Sequence, residues 1–239
     1  MAIPYKSQEK GKKEQIAGMF NNIAHRYDFL NHFLSVGIDT LWRKKVVKLL
    51  APGKPSTILD IATGTGDLAI TAMRLHPKQI TGIDISAGML KIGVEKIRQK
   101  GLSDIITLQE ADSENLPFEN ESYDAVMVAF GVRNFENLEK GLSEMARVLK
   151  TGGKCAILEF SKPETFPIKQ LYQFYFLKIL PGIGKIFSKD DSAYTYLPES
   201  VNEFPSGKSF LTILTKTGFK NPVQYKLSFG IASIYLVEK

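Results

Sequence analysis

Asp60-Ile-Ala-Thr-Gly-Thr-Gly-Asp67 decides the fold, because it ends a strand-length apolar run, STILDIA, and opens a helical stretch, Asp67–Leu75. Gly64 and Gly66 let the backbone turn tightly and let a ligand approach with no Cβ in the way. Downstream, the apolar runs QITGIDI, DIITLQEA, YDAVMVAF and GKCAILEF alternate with helical stretches at Met89–Lys100 and Leu138–Leu149. Alternation of this kind predicts a parallel sheet with helices on both faces. The end of the chain differs. A helix at Ser209–Thr217 leads to two strands, Pro222–Leu227 and Ile231–Val237, with only Ser228-Phe229-Gly230 between them. So short a connection demands an antiparallel hairpin.

Upstream of the loop, apolar residues from Glu14 to about Leu50 recur at helical spacing, among them Ile16, Met19, Phe20, Phe33, Val46 and Leu50. They predict two or three helices with a break at Ser35–Gly37. Residues 1–13 are polar and expected to be mobile. Between the fifth strand and the last helix, residues 161–205 form an aromatic, lysine-bearing insertion near the carboxyl ends of the strands, where α/β folds bind ligands. One domain is expected. Its parts are an N-terminal helical segment (1–52), a core (53–160), a substrate cap (161–205) and a closing helix and hairpin (206–239).

The 239 residues suffice for one such domain with a full core. A single cysteine, Cys155, excludes an internal disulfide and argues against a thiolate metal cluster; it lies in an apolar run, as a buried structural thiol would. No metal is expected. The net charge of +6 allows attraction to an anionic surface. The polar N-terminus lacks the apolar core of a signal peptide, and no run is long enough to span a bilayer. A cytoplasmic protein is expected, with any membrane contact peripheral.

The glycine loop alone is ambiguous. Gly64-x-Gly66-x-x-Ala69, with Asp84 ending the next strand, also fits the fingerprint of a nicotinamide dinucleotide site. A pyrophosphate, however, wants bare N–H groups at a helix start, where Asp60 and Asp67 would repel it. S-adenosyl-L-methionine carries a sulfonium and an ammonium, which carboxylates accommodate. Asp60, Thr63, Gly64 and Gly66 are then expected around its methionine end. The layout resembles the class I methyltransferases, and that resemblance implies Asp84 at the ribose hydroxyls and Asp112 with Ser113, after the third strand, at the adenine.

A parallel sheet finished by one antiparallel hairpin resembles the class I methyltransferases, a Rossmann-like, doubly wound α/β fold. Two further segments are more specific: Tyr27-Asp-Phe-Leu-Asn-His-Phe-Leu-Ser-Val-Gly-Ile-Asp-Thr-Leu-Trp-Arg43 and Arg147-Val-Leu-Lys-Thr-Gly-Gly-Lys-Cys-Ala-Ile-Leu-Glu-Phe-Ser-Lys-Pro163. With Ala129-Phe-Gly-Val-Arg-Asn134 between them, they resemble the ubiquinone/menaquinone biosynthesis C-methyltransferases from about Phe20 to Val237. Three departures are visible: Leu30 for a usual methionine, Thr151 for a usual proline, and Asp39 where histidine is frequent. The resemblance implies methyl transfer to an unsubstituted ring carbon of a prenylated hydroquinone, demethylmenaquinol, with the ubiquinone-pathway benzoquinol as the alternative acceptor.

A ring carbon becomes nucleophilic when a neighbouring hydroxyl loses its proton, so the site needs a base or a cation that stabilises the phenolate. Arg133, just past the fourth strand, is the expected cation, with Tyr27 and Asp39 as further catalytic candidates. The aromatics and lysines of Ile168–Phe187 suit a helix in a membrane interface as well as an ordinary cap. An RNA acceptor is disfavoured because no RNA-binding module is appended, so no nucleic-acid partner is expected. A non-catalytic lipid-binding protein is disfavoured by the intact Gly64, Gly66, Asp84 and Asp112. A homo-oligomer is compatible with the sequence.

Overall fold

The computed structural model describes residues 2–5, 9–34, 37–174 and 192–239, with side chains outside 26–34 and 192–194. Among them, seven strands form one sheet in the order β3-β2-β1-β4-β5-β7-β6. The strands are β1 (Thr57–Ile61), β2 (Gln79–Asp84), β3 (Ile106–Glu110), β4 (Tyr123–Ala129), β5 (Leu149–Phe160), β6 (Lys220–Leu227) and β7 (Ala232–Glu238). β1 to β5 pair in parallel, while β7 runs antiparallel between β5 and β6. The expected hairpin is present, its tip a tight turn at Ser228–Gly230 in which all three residues hold positive φ.

The helices cover both faces, as the alternating pattern requires. They are α1 (Lys12–Leu34), α2 (Ile38–Leu50), α3 (Asp67–Ala72), α4 (Ala87–Gln99), α5 (Leu138–Val148), α6 (Ile168–Phe174), α7 (Ser192–Glu203) and α8 (Lys208–Lys216). On one face Leu59, Ile61, Val126 and Val128 pack with Leu142 and Met145 of α5 and Phe210 and Leu214 of α8. On the other, Ile58, Ile80, Met127 and Leu158 pack with Val46, Val47 and Leu50 of α2 and Leu68 and Ala69 of α3. Successive strand residues thus feed opposite cores, which is why these strands read as continuous apolar runs. Cys155 is fully buried, and burial pushes its thiol up, as befits a structural residue.

One sequence expectation is corrected. The N-terminal residues are not a loose polar tail: Ala2 packs with Ile16, Met19 and Tyr196, and its N–H donates to Glu203. Lys12 is buried, with its Nζ donating to the carbonyls of Phe135 (2.9 Å) and Arg133 (3.3 Å). These partners are more than a hundred residues away, which is why local polarity misleads here. The helical segment is as expected: α1 runs for 23 residues, and α2 starts just after Gly37, where the break was read. Among the described residues no helix is long and apolar enough to cross a membrane.

Candidate active site

The strand order reverses between β1 and β4, whose exit loops diverge and leave a crevice at the carboxyl ends. An open cleft lies there, lined by Ala62 and Gly64 after β1, Asp84 and Ile85 after β2, Asp112 and Ser113 after β3, and Phe130 and Gly131 after β4. The loops that meet are built tightly. Ala62 (φ 51°) and Phe130 (φ 59°) both occupy the left-handed region, which is costly for residues other than glycine. Gly131 is required between them, because a Cβ there would fall 2.5 Å from Ala62 Cβ.

Of the expected cofactor residues, Gly64, Asp84, Asp112 and Ser113 line the cleft; Asp60, Thr63 and Gly66 lie buried beneath the loop. Gly64 N–H (2.8 Å) and Ser86 N–H (2.9 Å) donate to the two oxygens of Asp84, so this carboxylate locks the loop to the end of β2. Burial pushes the Asp84 carboxyl up, against the stabilising N–H groups of Ser86 and Gly64. Asp60 Oδ2 accepts from Thr63 Oγ1 at 2.6 Å, while Oδ1 is buried with no hydrogen-bond partner. Burial raises this carboxyl to about 7.

Asp112 accepts Glu114 N–H at 2.9 Å and pairs with Lys13 of α1 at 2.6 Å. Burial resists its ionisation, but the Lys13 hydrogen bond and the N–H outweigh it and hold the carboxyl below its ordinary range. Lys13, Ile16 and Phe20 bring α1 across the cleft. The spacing of Ile16 and Phe20 signalled a helix but not where it docks, so these lining residues were missed in the sequence. Glu114 was missed as well: it is buried, accepts N–H from Glu136 (2.8 Å) and Asn137 (3.1 Å), and ties the β3 exit to that beyond β4.

The catalytic candidates are less closely gathered. The Arg133 side chain is only 7% exposed and pairs with the fully buried Glu159 at 2.9 Å, with a further donation to Phe130 O. Its Nε is buried without a hydrogen-bond partner, and its guanidinium lies 5.5 Å from the Phe160 ring centre. The cleft is lined by its neighbours Phe130, Gly131 and Asn134 rather than by Arg133 itself. Asp39 is not brought to the cleft; it forms a buried pair with Arg43, which reaches Asp67 at 3.8 Å. Tyr27 lies on α1, and its side chain is outside the described residues.

Next to the cleft is an aromatic wall. Phe130 and Phe160 lie 4.5 Å apart, and Trp42 meets Phe160 edge-on at 6.4 Å. On the Arg133 side, Tyr196 OH donates to Asn134 Oδ1 at 2.9 Å, and burial raises that phenol to about 12. Tyr172 of α6 lies within electrostatic reach of Arg133 and Glu159.

The residues fit S-adenosyl-L-methionine. A buried carboxylate oxygen without a partner suits a cationic ligand, and a Cβ at Gly64 would crowd Met89 at 3.3 Å in the cradle. Asp60, beneath the glycine turn, and Asp67, at the start of α3, would repel a pyrophosphate. A glycine turn and the acids Asp60, Asp84 and Asp112, at the switch point of a sheet closed by one antiparallel hairpin, define a class I S-adenosylmethionine-dependent methyltransferase. The chain belongs to the ubiE/COQ5 methyltransferase family, whose profile matches residues 8–239. It is similar to the demethylmenaquinone methyltransferase of Bacteroides fragilis, 48% identical over 237 residues that cover 99% of this chain and 96% of that one. It is equally similar to the ubiquinone/menaquinone biosynthesis C-methyltransferase of Geotalea daltonii, 48% identical over 98% of this chain and all of that one. A SAM-dependent methyltransferase structure from Thermotoga maritima shares the fold, with a TM-score of 0.63 and 22% identity over 93% of this chain and 99% of that one.

Proposed function

We propose that this methyltransferase acts on the unsubstituted ring carbon of demethylmenaquinol, yielding menaquinol, with the ubiquinone-pathway benzoquinol as the second reading. The observation that carries a ring acceptor is the meeting of cleft and aromatic wall at Phe130, which offers an apolar aromatic surface beside the cofactor site. The names of the full-length relatives supply the naphthoquinol and the benzoquinol.

When bound, S-adenosyl-L-methionine supplies an electrophilic methyl on a sulfonium. In this reading Asp84 accepts from the ribose hydroxyls, and Asp112 accepts from the adenine amine while Ser113 N–H donates to the ring. Asp60, with Thr63, Gly64 and Gly66, accommodates the cationic methionine end. Arg133, oriented by Glu159, stabilises the phenolate that forms beside the reacting carbon. Asp39 acts indirectly, by holding Arg43 near Asp67 at the start of α3. Tyr27, on the helix that crosses the cleft, is the further acid–base candidate, and Tyr27→Phe tests it. The wall of Trp42, Phe130 and Phe160 orients the ring and excludes water. Membrane contact through 168–187 belongs to the same reading, although residues 175–187 lie outside the described part.

The test is mass spectrometry of labelled S-adenosylmethionine reactions with demethylmenaquinol and with the benzoquinol. Label on the naphthoquinol ring carbon is expected. Label on the benzoquinol alone would exchange the two readings, and label on neither would end both.

A further inference from the structure

We propose that the β6–β7 hairpin tip, the start of α2 and residues 164–174 form one docking surface for an anionic lipid bilayer, continuous with the aromatic wall of the cleft. The proposal rests on the prenylated-quinol reading, since a polyprenyl acceptor resides in a bilayer.

Three separate elements expose large apolar side chains: Phe229 at the hairpin tip, Ile38 and Leu41 on α2, and Phe166, Leu171 and Phe174 on or beside α6. Direct contacts place them together. Trp42, next to Leu41, donates its Nε1–H to Ser228 Oγ at 3.0 Å, one residue before Phe229. Ser161 Oγ donates to Gly230 O at 2.8 Å, and Lys226 pairs with Glu164 at 2.9 Å, so the segment leading to Phe166 and α6 leaves from beside the same tip.

Phe229 is 78% exposed and holds φ 59°. The left-handed region is unfavourable for a bulky residue, and Gly or Asn serves such a turn better. An exposed phenylalanine there supports neither the core nor the turn, which points to a partner. The charge around it selects the partner. On α2, Lys44 and Lys48 are exposed and Lys45 half-buried, while its one acid, Asp39, is buried in a pair with Arg43. Exposed Lys162 and Lys169 flank Phe166. Apolar side chains ringed by lysines match the acyl boundary and the anionic headgroups of a bilayer surface.

The surface is also joined to the cleft. Phe130, in the cleft lining, stacks near Phe160, Phe160 meets Trp42, and Trp42 holds Ser228 beneath the tip. A prenyl chain following this wall would leave the cleft beside Phe229, so a docked protein could draw its acceptor ring directly from the membrane.

The test uses the full chain and a Phe229→Asn/Leu41→Gln variant, sedimented with vesicles of phosphatidylcholine and phosphatidylglycerol and with phosphatidylcholine alone. Asn accepts the left-handed conformation, so the turn is kept. Wild type is expected to bind the anionic vesicles and to be released by salt. The variant is expected to bind about tenfold more weakly, with unchanged Tm and unchanged affinity for S-adenosylmethionine. Equal vesicle binding by both proteins, or no binding by wild type, would overturn the proposal. So would a change of oligomeric mass in the variant without a change in vesicle binding, because the surface would then serve a second copy. Turnover of a short-chain, water-dispersed quinol provides the separate control. Its absence would refute the quinol reading while the sedimentation result still decides the docking surface.

Discussion

Lys13, in the first turn of α1, and Asp112, just past β3, stand 2.6 Å apart and join the N-terminal helix to the far side of the cleft. The pair is about one-third exposed on each side, so it contributes a modest amount in water. Its position makes it a clasp over the proposed adenine station, since Asp112 has lone pairs left to accept a second donor. Lys13→Met is expected to raise the Kd for S-adenosylmethionine about two- to fivefold, as loss of a partly screened ion pair should. Turnover at saturating cofactor should not change. Calorimetric titration of both proteins checks this; a tighter complex in the variant would show that the clasp opposes binding.

Asp84 braces the glycine loop and, in the proposed function, holds the cofactor's ribose; its substitutions separate the two. Gly64 and Ser86 N–H depend on its oxygens, so Asp84→Ala leaves two backbone donors without their acceptor. A stability loss of about 2 kcal/mol or more is expected, together with at least a tenfold weaker hold on the cofactor. Asp84→Asn keeps one acceptor and is expected to fall between. Urea unfolding followed at fixed pH, alongside cofactor titration, measures both effects.

The fold was legible because its signals are local. Each strand run is bounded by a helix-period segment, and the four residues between β6 and β7 leave no other geometry than a hairpin. The loop acids were legible for a similar reason: Asp60, Asp84 and Asp112 each sit where a strand ends, and strand ends meet at the switch point. The clasp by Lys13 was not legible, because a lysine in a polar stretch carries no sign of a partner 99 residues away. Asp39 shows the opposite failure. It lies in a distinctive segment, yet its neighbour at i+4, Arg43, takes its charge, a local pairing that helical spacing alone permits. Glu159 reads as one more residue of a strand and gains its meaning only from Arg133, which arrives from the next loop.

The Arg133–Glu159 pair confounds stability with chemistry, and a double substitution resolves it. Glu159 is fully buried and its carboxyl is pushed up by burial, against the opposing charge of Arg133. Removing either partner strands the other, so Arg133→Met and Glu159→Gln should each cost about 3–5 kcal/mol. The double variant leaves no buried charge, and the amide oxygen introduced by Glu159→Gln would still accept Phe160 N–H; much of the loss should return. Turnover should not return if Arg133 stabilises the phenolate, while cofactor affinity stays near that of wild type. Recovery of stability and turnover together would assign Arg133 a purely structural role.

The proposed place of Asp60 at the cofactor's cationic end makes binding depend on pH. Burial lifts its carboxyl to about 7, with Thr63, the Ala69 N–H and Arg43 opposing that lift and Asp84 adding to it. An unfolded aspartate titrates near about 4. Between these values the folded protein holds a proton that the unfolded chain has lost. This group's stabilising contribution is therefore full at acid pH and is lost as pH rises through about 7. Asp60→Asn should consequently gain stability at about pH 8, where the native carboxylate would be charged and buried. Binding runs the other way. A cationic ligand favours the ionised carboxylate with its unpartnered Oδ1, so association expels the proton and affinity should rise from about pH 6 to about pH 8. Calorimetry in two buffers of different ionisation heat would register that released proton. In Asp60→Asn the release should largely disappear and the complex weaken, with any remainder belonging to Asp84, whose carboxyl is raised in the same direction. A wild-type affinity that is flat across this range would remove Asp60 from the cofactor's cationic end and leave it as a loop-bracing residue through Thr63.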